Sequence, residues 1–219
     1  MIAPNMATML GFIFTNVNLS QDQLQAILSE SVDKSFNQIS VDTDTSTNDM
    51  VVAFTTGEVE IDFANEEVQQ GFQSHFDVTC LKLSKQIITD GEGATKIIYA
   101  KVSSAATEAQ ARAVSKSIVD SPLVKTAIHG ADPNWGRVAM AIGKTPDVEI
   151  DSTQLKIWIQ GMLLFAEGIA QDFSRDELAK LMQAKEVEIK VYLGAGEAEA
   201  SAWGCDLSKK YVDINVDYN

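Results

Sequence analysis

Near the start of the chain a single hydroxyl side chain, Thr8, stands at the mouth of an almost wholly apolar run, Met9-Leu10-Gly11-Phe12-Ile13-Phe14. Threonine is a common strand residue, and in that role it does no more than bond a neighbouring backbone group. A cut between Ala7 and Thr8 would change its chemistry. The freed α-amine, with a pKa near ~8, lies beside the hydroxyl and can take its proton, which makes Thr8 an N-terminal nucleophile. The same hydroxyl can make the cut: its oxygen attacks the Ala7 carbonyl, the acyl group shifts from nitrogen to oxygen, and water opens the ester. Small Ala7 leaves room for that attack, and Pro4-Asn5 sets a bend upstream.

Two further positions carry groups suited to binding. Glu92 is bracketed by Gly91 and Gly93 just ahead of an apolar run; the glycines suit a helix stop and tight turn, yet a turn needs no carboxylate there. Held at the start of a strand, that carboxylate can recognise an ammonium or position a proton acceptor. Near the other end, Val212, Ile214 and Val216 alternate with Asp213, Asn215 and Asp217, which predicts a strand with Asn215 on its polar face, its amide free to donate to an oxyanion or a carboxylate.

The blocks around these residues resemble one family. Pro4-Asn5-Met6-Ala7-Thr8-Met9-Leu10 is similar to the self-cleavage motif of the ornithine acetyltransferases, the glutamate N-acetyltransferases of arginine biosynthesis, which split at the Ala-Thr bond into α and β chains. Asp44-Thr45-Ser46-Thr47-Asn48-Asp49, Asp90-Gly91-Glu92-Gly93-Ala94-Thr95-Lys96, Gly130-Ala131-Asp132-Pro133-Asn134-Trp135-Gly136-Arg137 and Ala202-Trp203-Gly204-Cys205-Asp206-Leu207 resemble its β-chain blocks, in the same order. The resemblance implies acetyl transfer from N-acetylornithine, and in some members from acetyl-CoA, to glutamate through an acetyl-Thr8 ester. It implies substrate contacts at Thr8, Glu92 and Asn215. It also implies an α chain of the same precursor as partner, in an α2β2 heterotetramer, the α portion supplying a Thr-Gly oxyanion hole and a substrate-binding lysine.

Composition agrees with a soluble small-molecule enzyme. The chain has 219 residues, 45% of them hydrophobic, enough for a proper core. Its 31 acidic residues outnumber 17 basic ones, for a net charge of −14. That charge opposes binding to nucleic acid or anionic lipid. No apolar run is long enough for a membrane helix, and the first residues lack the positive flank of a signal peptide. Cys80 and Cys205 are too few for a disulfide scaffold and lack metal-ligand spacing, which fits a reducing cytoplasm. With only His75 and His129 and no Gly-x-Ser-x-Gly elbow, a serine-hydrolase triad has little material. Asp42, Asp44 and Ser46 imitate a calcium loop, but Thr47 stands where glycine is required. No metal or cofactor is expected. His129 is structural, and Arg137 is a surface ion-pair former or a carboxylate anchor.

The elements that must position these groups follow from periodicity. Residues 9–14 are apolar on both sides of the pleat, which predicts a central strand buried on both faces, opened by Thr8. Ser20 with Gln23 forms a capping box ahead of Leu24, Ile27, Leu28, Val32 and Phe36 at helical spacing. A polar loop over 42–49 precedes a strand over 50–55. A second helix from Asn65 carries Val68, Phe72, Phe76, Cys80, Leu83 and Ile87, and a strand spans 96–102. A helix with Ala111, Val114 and Ile118 on one face stops before Ser121-Pro122. Asp132-Pro133 reads as cap and first helical position of a short helix running to Gly143. Leu155, Ile157 and Ile159 form one strand face, and Val187, Ile189, Val191 and Leu193 another, with a helix from Ser174 between them. Gly194-Ala195-Gly196 is a turn.

The expected fold is therefore α+β, a layered αββα-type sandwich over 1–105 that bears the nucleophile, followed by a smaller C-terminal α/β domain over 106–219. Two other functions compete: a self-processing aminopeptidase with the same kind of nucleophile, and an inactive β fragment that acts only by assembling with its α chain.

Overall fold

The computed structural model describes residues 9–44 and 48–217. Its first strand, β1 (Leu10–Val17), is followed by α1 (Gln21–Lys34), a 3-10 turn at Phe36–Gln38 and the short β2 (Ile39–Ser40). Ser20 and Gln23 close the expected capping box at the start of α1. β3 (Met50–Val59) leads to α2 (Glu66–Thr89), whose first-turn N–H groups are accepted by the Asn65 side chain.

β4 (Ile97–Ala105), α3 (Glu108–Asp120), α4 (Pro122–His129) and α5 (Trp135–Gly143) come next. The chain then runs through β5 (Lys156–Ile159), β6 (Met162–Ala166), β7 (Ile169–Ala170), α6 (Arg175–Leu181), β8 (Glu186–Tyr192), β9 (Ala198–Cys205) and α7 (Lys209–Val216). The architecture is the expected α+β class, helices layered on stacked sheets.

The larger sheet has seven strands in the order β2-β9-β4-β8-β5-β6-β7. Alternation sets its buried face: Ile98, Ala100 and Val102 of β4 pair in register with Val187, Ile189 and Val191 of β8, and all six are essentially inaccessible. Ala111, Val114 and Ile118 of α3 pack into the same core. The helix lies close over β9, where a Cβ on Gly204 would come within 3.1 Å of the Val119 side chain. On the opposite face Tyr99 and Trp203 stack at 5.4 Å, with the Lys85 ammonium of α2 5.0 Å from the Trp203 ring.

The smaller sheet is a parallel pair, β1 and β3, whose Ile13 packs with Leu24 and Ile27 of α1 and Phe76 and Cys80 of α2. α2 is shared, because Ile88 joins a third cluster with Ile39, Val41, Trp203 and Cys205. Residue 105, the expected limit of a first domain, is the end of β4, which lies between β8 and β9 in the larger sheet.

Several expectations are corrected. β1 is not buried on both faces: Leu10, Phe12 and Phe14 are 52%, 51% and 71% exposed. Among the described residues β1 pairs only with β3, and α1 and α2 cover one side of that pair. Residues 212–216 are helix rather than strand. α5 begins at Trp135 with Asn134 at its N-cap, so Asp132 and Pro133 lie ahead of it. Ser121-Pro122 ends α3 as expected, but Ser121 also caps α4 and Pro122 opens it, a helix that the pattern left out.

Both cysteines are buried. Burial, with the nearby Asp77 carboxylate, pushes the Cys80 thiol up to about 11. Burial raises the Cys205 thiol as well, against the opposing pull of Lys125. A thiol reagent at pH 8 is therefore expected to label neither in the folded protein and both in denaturant. Stoichiometric labelling under native conditions would contradict this placement.

Candidate active site

The turn that carries Glu92 is built by close packing. α2 ends as the Asp90 N–H reaches back to the Gln86 and Ile87 carbonyls, and the Ala94 N–H bonds the Gly91 carbonyl at 2.9 Å. A Cβ on Gly91 would stand 3.1 Å from Val41 and 3.2 Å from the Cys205 sulfur. Gly93 has φ +68°, and a Cβ there would fall 2.7 Å from Ser208 Oγ and 2.8 Å from the Tyr211 nitrogen. Both the sign of φ and the space demand glycine at 93. Gly93→Ala is expected to cost about 2–4 kcal/mol, from backbone strain plus overpacking, and to push α7 off the turn. Urea unfolding measures the cost, and a loss below about 0.5 kcal/mol would mean the apposition is looser than it looks.

Beneath the turn sits the most completely bonded carboxylate of the region. Asp206, 1% exposed, accepts from the Thr95 N–H at 2.7 Å, the Lys96 N–H at 2.8 Å, the Thr95 hydroxyl at 2.5 Å and His129 Nδ1 at 2.7 Å. Burial alone pushes the Asp206 carboxyl up, but the bonds from Thr95, Lys96 and His129 outweigh it and hold it below the usual carboxylate range. His129, expected to be structural and without a visible partner, is thus paired with a buried carboxylate. Close by, Lys125 is 1% exposed and its ammonium donates to the Cys205 carbonyl. Desolvation lowers its pKa, opposed by the surrounding Cys205, Asp120 and Asp206.

Two of the expected site residues meet here. The Asn215 amide donates to Glu92 Oε2 at 2.5 Å and to the Tyr211 carbonyl at 2.9 Å, one helical turn earlier. The strand expected to deliver Asn215 is α7, and the amide reaches Glu92 because α7 lies against the Gly93 turn, tied by Ser208 Oγ donating to the Gly93 carbonyl at 2.7 Å. Glu92 is half-buried and Asn215 exposed. Thr8 and the Ala7-Thr8 bond lie outside the described residues, as do Thr45, Ser46 and Thr47 of the polar loop.

The described ends of that loop make contacts of their own. The Met9 N–H donates to Asp49 Oδ1 at 2.9 Å, and the Met50 N–H to the Met9 carbonyl at 2.8 Å. At the other end of the loop the Asp44 N–H bonds Asp42 Oδ1, and Asp42 Oδ2 accepts from the Tyr211 hydroxyl at 3.2 Å. A polar cavity of about 170 Å³ lies among Asn37, Ser40, Asp44, Asp49 and Lys116. A groove of about 570 Å³ runs between Leu10 and Phe12 of β1 and Gln86 and Asp90 at the end of α2.

Chemically, the carboxylate of Glu92 can hold an ammonium while the Asn215 amide donates to an oxygen. Among the described residues no group of side chains could hold a metal ion. Arg137 donates through Nη1 to the Leu123 carbonyl and the Thr126 hydroxyl. Asp49, Asp206 and Tyr211 were not expected as contributors. Asp206 was visible within the Ala202-Trp203-Gly204-Cys205-Asp206-Leu207 block. Tyr211 shows itself only once 211 and 215 are known to be one helical turn apart.

The fold and this site define an α+β protein in which a carboxylate and an amide meet where a helix hands over to a sheet. The ArgJ family profile matches residues 1–219, and the chain belongs to that family. It is 46% identical over 220 residues to the arginine biosynthesis bifunctional protein ArgJ of Bacillus thuringiensis subsp. konkukian, covering 100% of this chain and 54% of the relative. The protein of that name from Dehalococcoides mccartyi is also 46% identical, over 221 residues, with the same coverage. The crystal structure of the Bacillus halodurans arginine biosynthesis bifunctional protein argJ superposes with a TM-score of 0.91 at 40% identity, over 96% of this chain and 100% of that one. The chain spans about half the length of the curated relatives it matches. Among the described residues no helix is long and apolar enough to cross a membrane.

Proposed function

We propose that this chain is the nucleophile-bearing β part of an ornithine acetyltransferase, moving acetyl from N-acetylornithine to glutamate. Self-cleavage at Ala7-Thr8 frees the Thr8 amine. The Thr8 hydroxyl, losing its proton to that amine, attacks the acetyl carbonyl; the tetrahedral intermediate collapses, the C–N bond breaks, and the departing amine of ornithine takes the proton back. Glutamate then attacks the Thr8 ester through its own α-amine, and the hydroxyl is restored. One amide is exchanged for another, so the cycle needs no cofactor.

In this reading Glu92 holds the substrate ammonium and the Asn215 amide a substrate oxygen. An α chain from the same precursor completes the site in an α2β2 assembly in the cytoplasm. The observation that carries the reading is the match of residues 1–219 to the ArgJ family, together with the bond that joins Glu92 to Asn215 across 123 positions. The test is the intact mass of the full-length protein after incubation with N-acetylornithine alone. An acetyl group should appear as an ester on the peptide beginning at Thr8 and vanish on adding glutamate, with acetylglutamate formed in equal amount. Hydrolysis without transfer, or an acetyl group elsewhere, would overturn it.

A further inference from the structure

We propose that Tyr211 is a positioning residue for the Asn215 amide, and that the bond of its phenol to Asp42 sets how α7 lies over the Glu92 turn. The claim rests on the assignment of Glu92 and Asn215 to substrate binding. α7 has no buried residue, and Val212 and Val216 are 56% and 64% exposed. Apolar burial is confined to the half-buried Tyr211 and Ile214 and is too slight to fix its depth and rotation by itself. Polar contacts complete the placement: Ser208 to Gly93 just ahead of the first turn, Tyr211 to Asp42 further on, and Asn215 to Glu92 in the last turn.

These contacts are not equivalent. The Ser208 bond and the close packing of Gly93 under the Tyr211 nitrogen hold the N-terminal end of the helix and leave its last turn to other contacts. The Asn215 bond is one the substrate must share, because an ammonium drawn to Glu92 competes with the amide for Oε2. Tyr211 is what remains. Its backbone carbonyl also accepts from Asn215 Nδ2, so the amide is referenced to the residue that the phenol anchors. Burial first, then the negative Glu92 and Asp44, raises the Tyr211 pKa, so the hydroxyl stays a donor at neutral pH. Asp42 is itself held by the Asp44 N–H, and the same loop ends at Asp49, which binds the N–H of Met9. Tyr211 thereby ties the binding helix to Asp42.

Tyr211→Phe, made in the full-length protein with its α portion, removes the phenol oxygen and keeps the ring. We expect KM for the amino-acid substrates to rise about tenfold with kcat within about twofold, the size of effect one lost hydrogen bond produces. The melting temperature should move little. In an Asn215→Ala background the same change should have no further effect on KM, since the group being positioned is gone. The Asn215 side-chain amide resonance, read by NMR, should also shift in Tyr211→Phe and lose the imprint of Glu92. An unchanged KM, or an effect equally large in the Asn215→Ala background, would overturn the proposal. A failure of the underlying site assignment looks different: Asn215→Ala and Glu92→Gln would then leave KM alone, and any Tyr211 effect would have to act by another route, which also overturns the claim.

Discussion

Thr8→Ala is expected to leave the polypeptide uncut and to reduce acetyl transfer to background, a loss on the order of a thousandfold or more, because in the proposed mechanism the hydroxyl serves both steps. No other hydroxyl acquires a neighbouring free α-amine when the Ala7-Thr8 bond opens, so a nearby serine or threonine has no equivalent base. Thr8→Ser keeps the oxygen and should retain cleavage and measurable turnover. Intact mass reports the first step and acetylglutamate formation the second. The two measurements separate a processing defect from a catalytic one. A Thr8→Ala protein that still transferred acetyl at the parental rate would end the covalent mechanism.

The second large effect is on stability. Asp206→Ala should destabilise the protein by about 2–4 kcal/mol, since it removes a buried carboxylate that accepts from the Thr95 and Lys96 N–H groups, the Thr95 hydroxyl and His129, and the charge beside Lys125. In a protein of this size that is on the order of ten degrees in melting temperature. The pH dependence has a definite sign. The folded carboxyl of Asp206 lies below its ordinary value. Its contribution is therefore fully present above the unfolded pKa of about 3.9, and is lost as pH falls through the lower folded value. The gap in unfolding free energy between parent and variant should be flat from pH 8 to about 5 and close only in strong acid, below about pH 4. Urea titrations at several pH values test this. A gap that stayed constant down to pH 2, or one below about 1 kcal/mol at pH 7, would show that those four bonds are not what the carboxylate supplies.

Much of this protein was legible in order along the chain because the signals were local. The capping box at Ser20 and Gln23, the α2 stripe through Phe76 and Cys80, and the inward rows Ile157 with Ile159 and Val187 with Ile189 each depend on neighbours a few positions away. Thr8 stood out as a candidate by residue type and position, and Glu92 and Asn215 by residue type together with the family resemblance of the blocks around them.

What lay beyond the sequence was decided by competition for space and for strand edges. The C-terminal run satisfies two periods at once: Val212, Ile214 and Val216 alternate, while Tyr211 and Ile214 are also three apart. β9 is already flanked by β2 and β4, so the last segment meets no free edge beside it. Tied at Ser208 to the Gly93 turn, it satisfies its backbone within itself as α7, leaving Tyr211 and Ile214 half-buried and Val212 and Val216 in solvent. β1 shows the converse. Its composition called for two covering layers, and α1 and α2 supply one, so Phe12 and Phe14 face outward. By itself the order of residues nominated Thr8 for acyl chemistry and determined which periodic segments would bury a face. Only the folded arrangement brought Glu92 to Asn215 and placed Tyr211 between the helix and the polar loop, because those bonds join positions more than a hundred apart and local pattern carries no record of such distances.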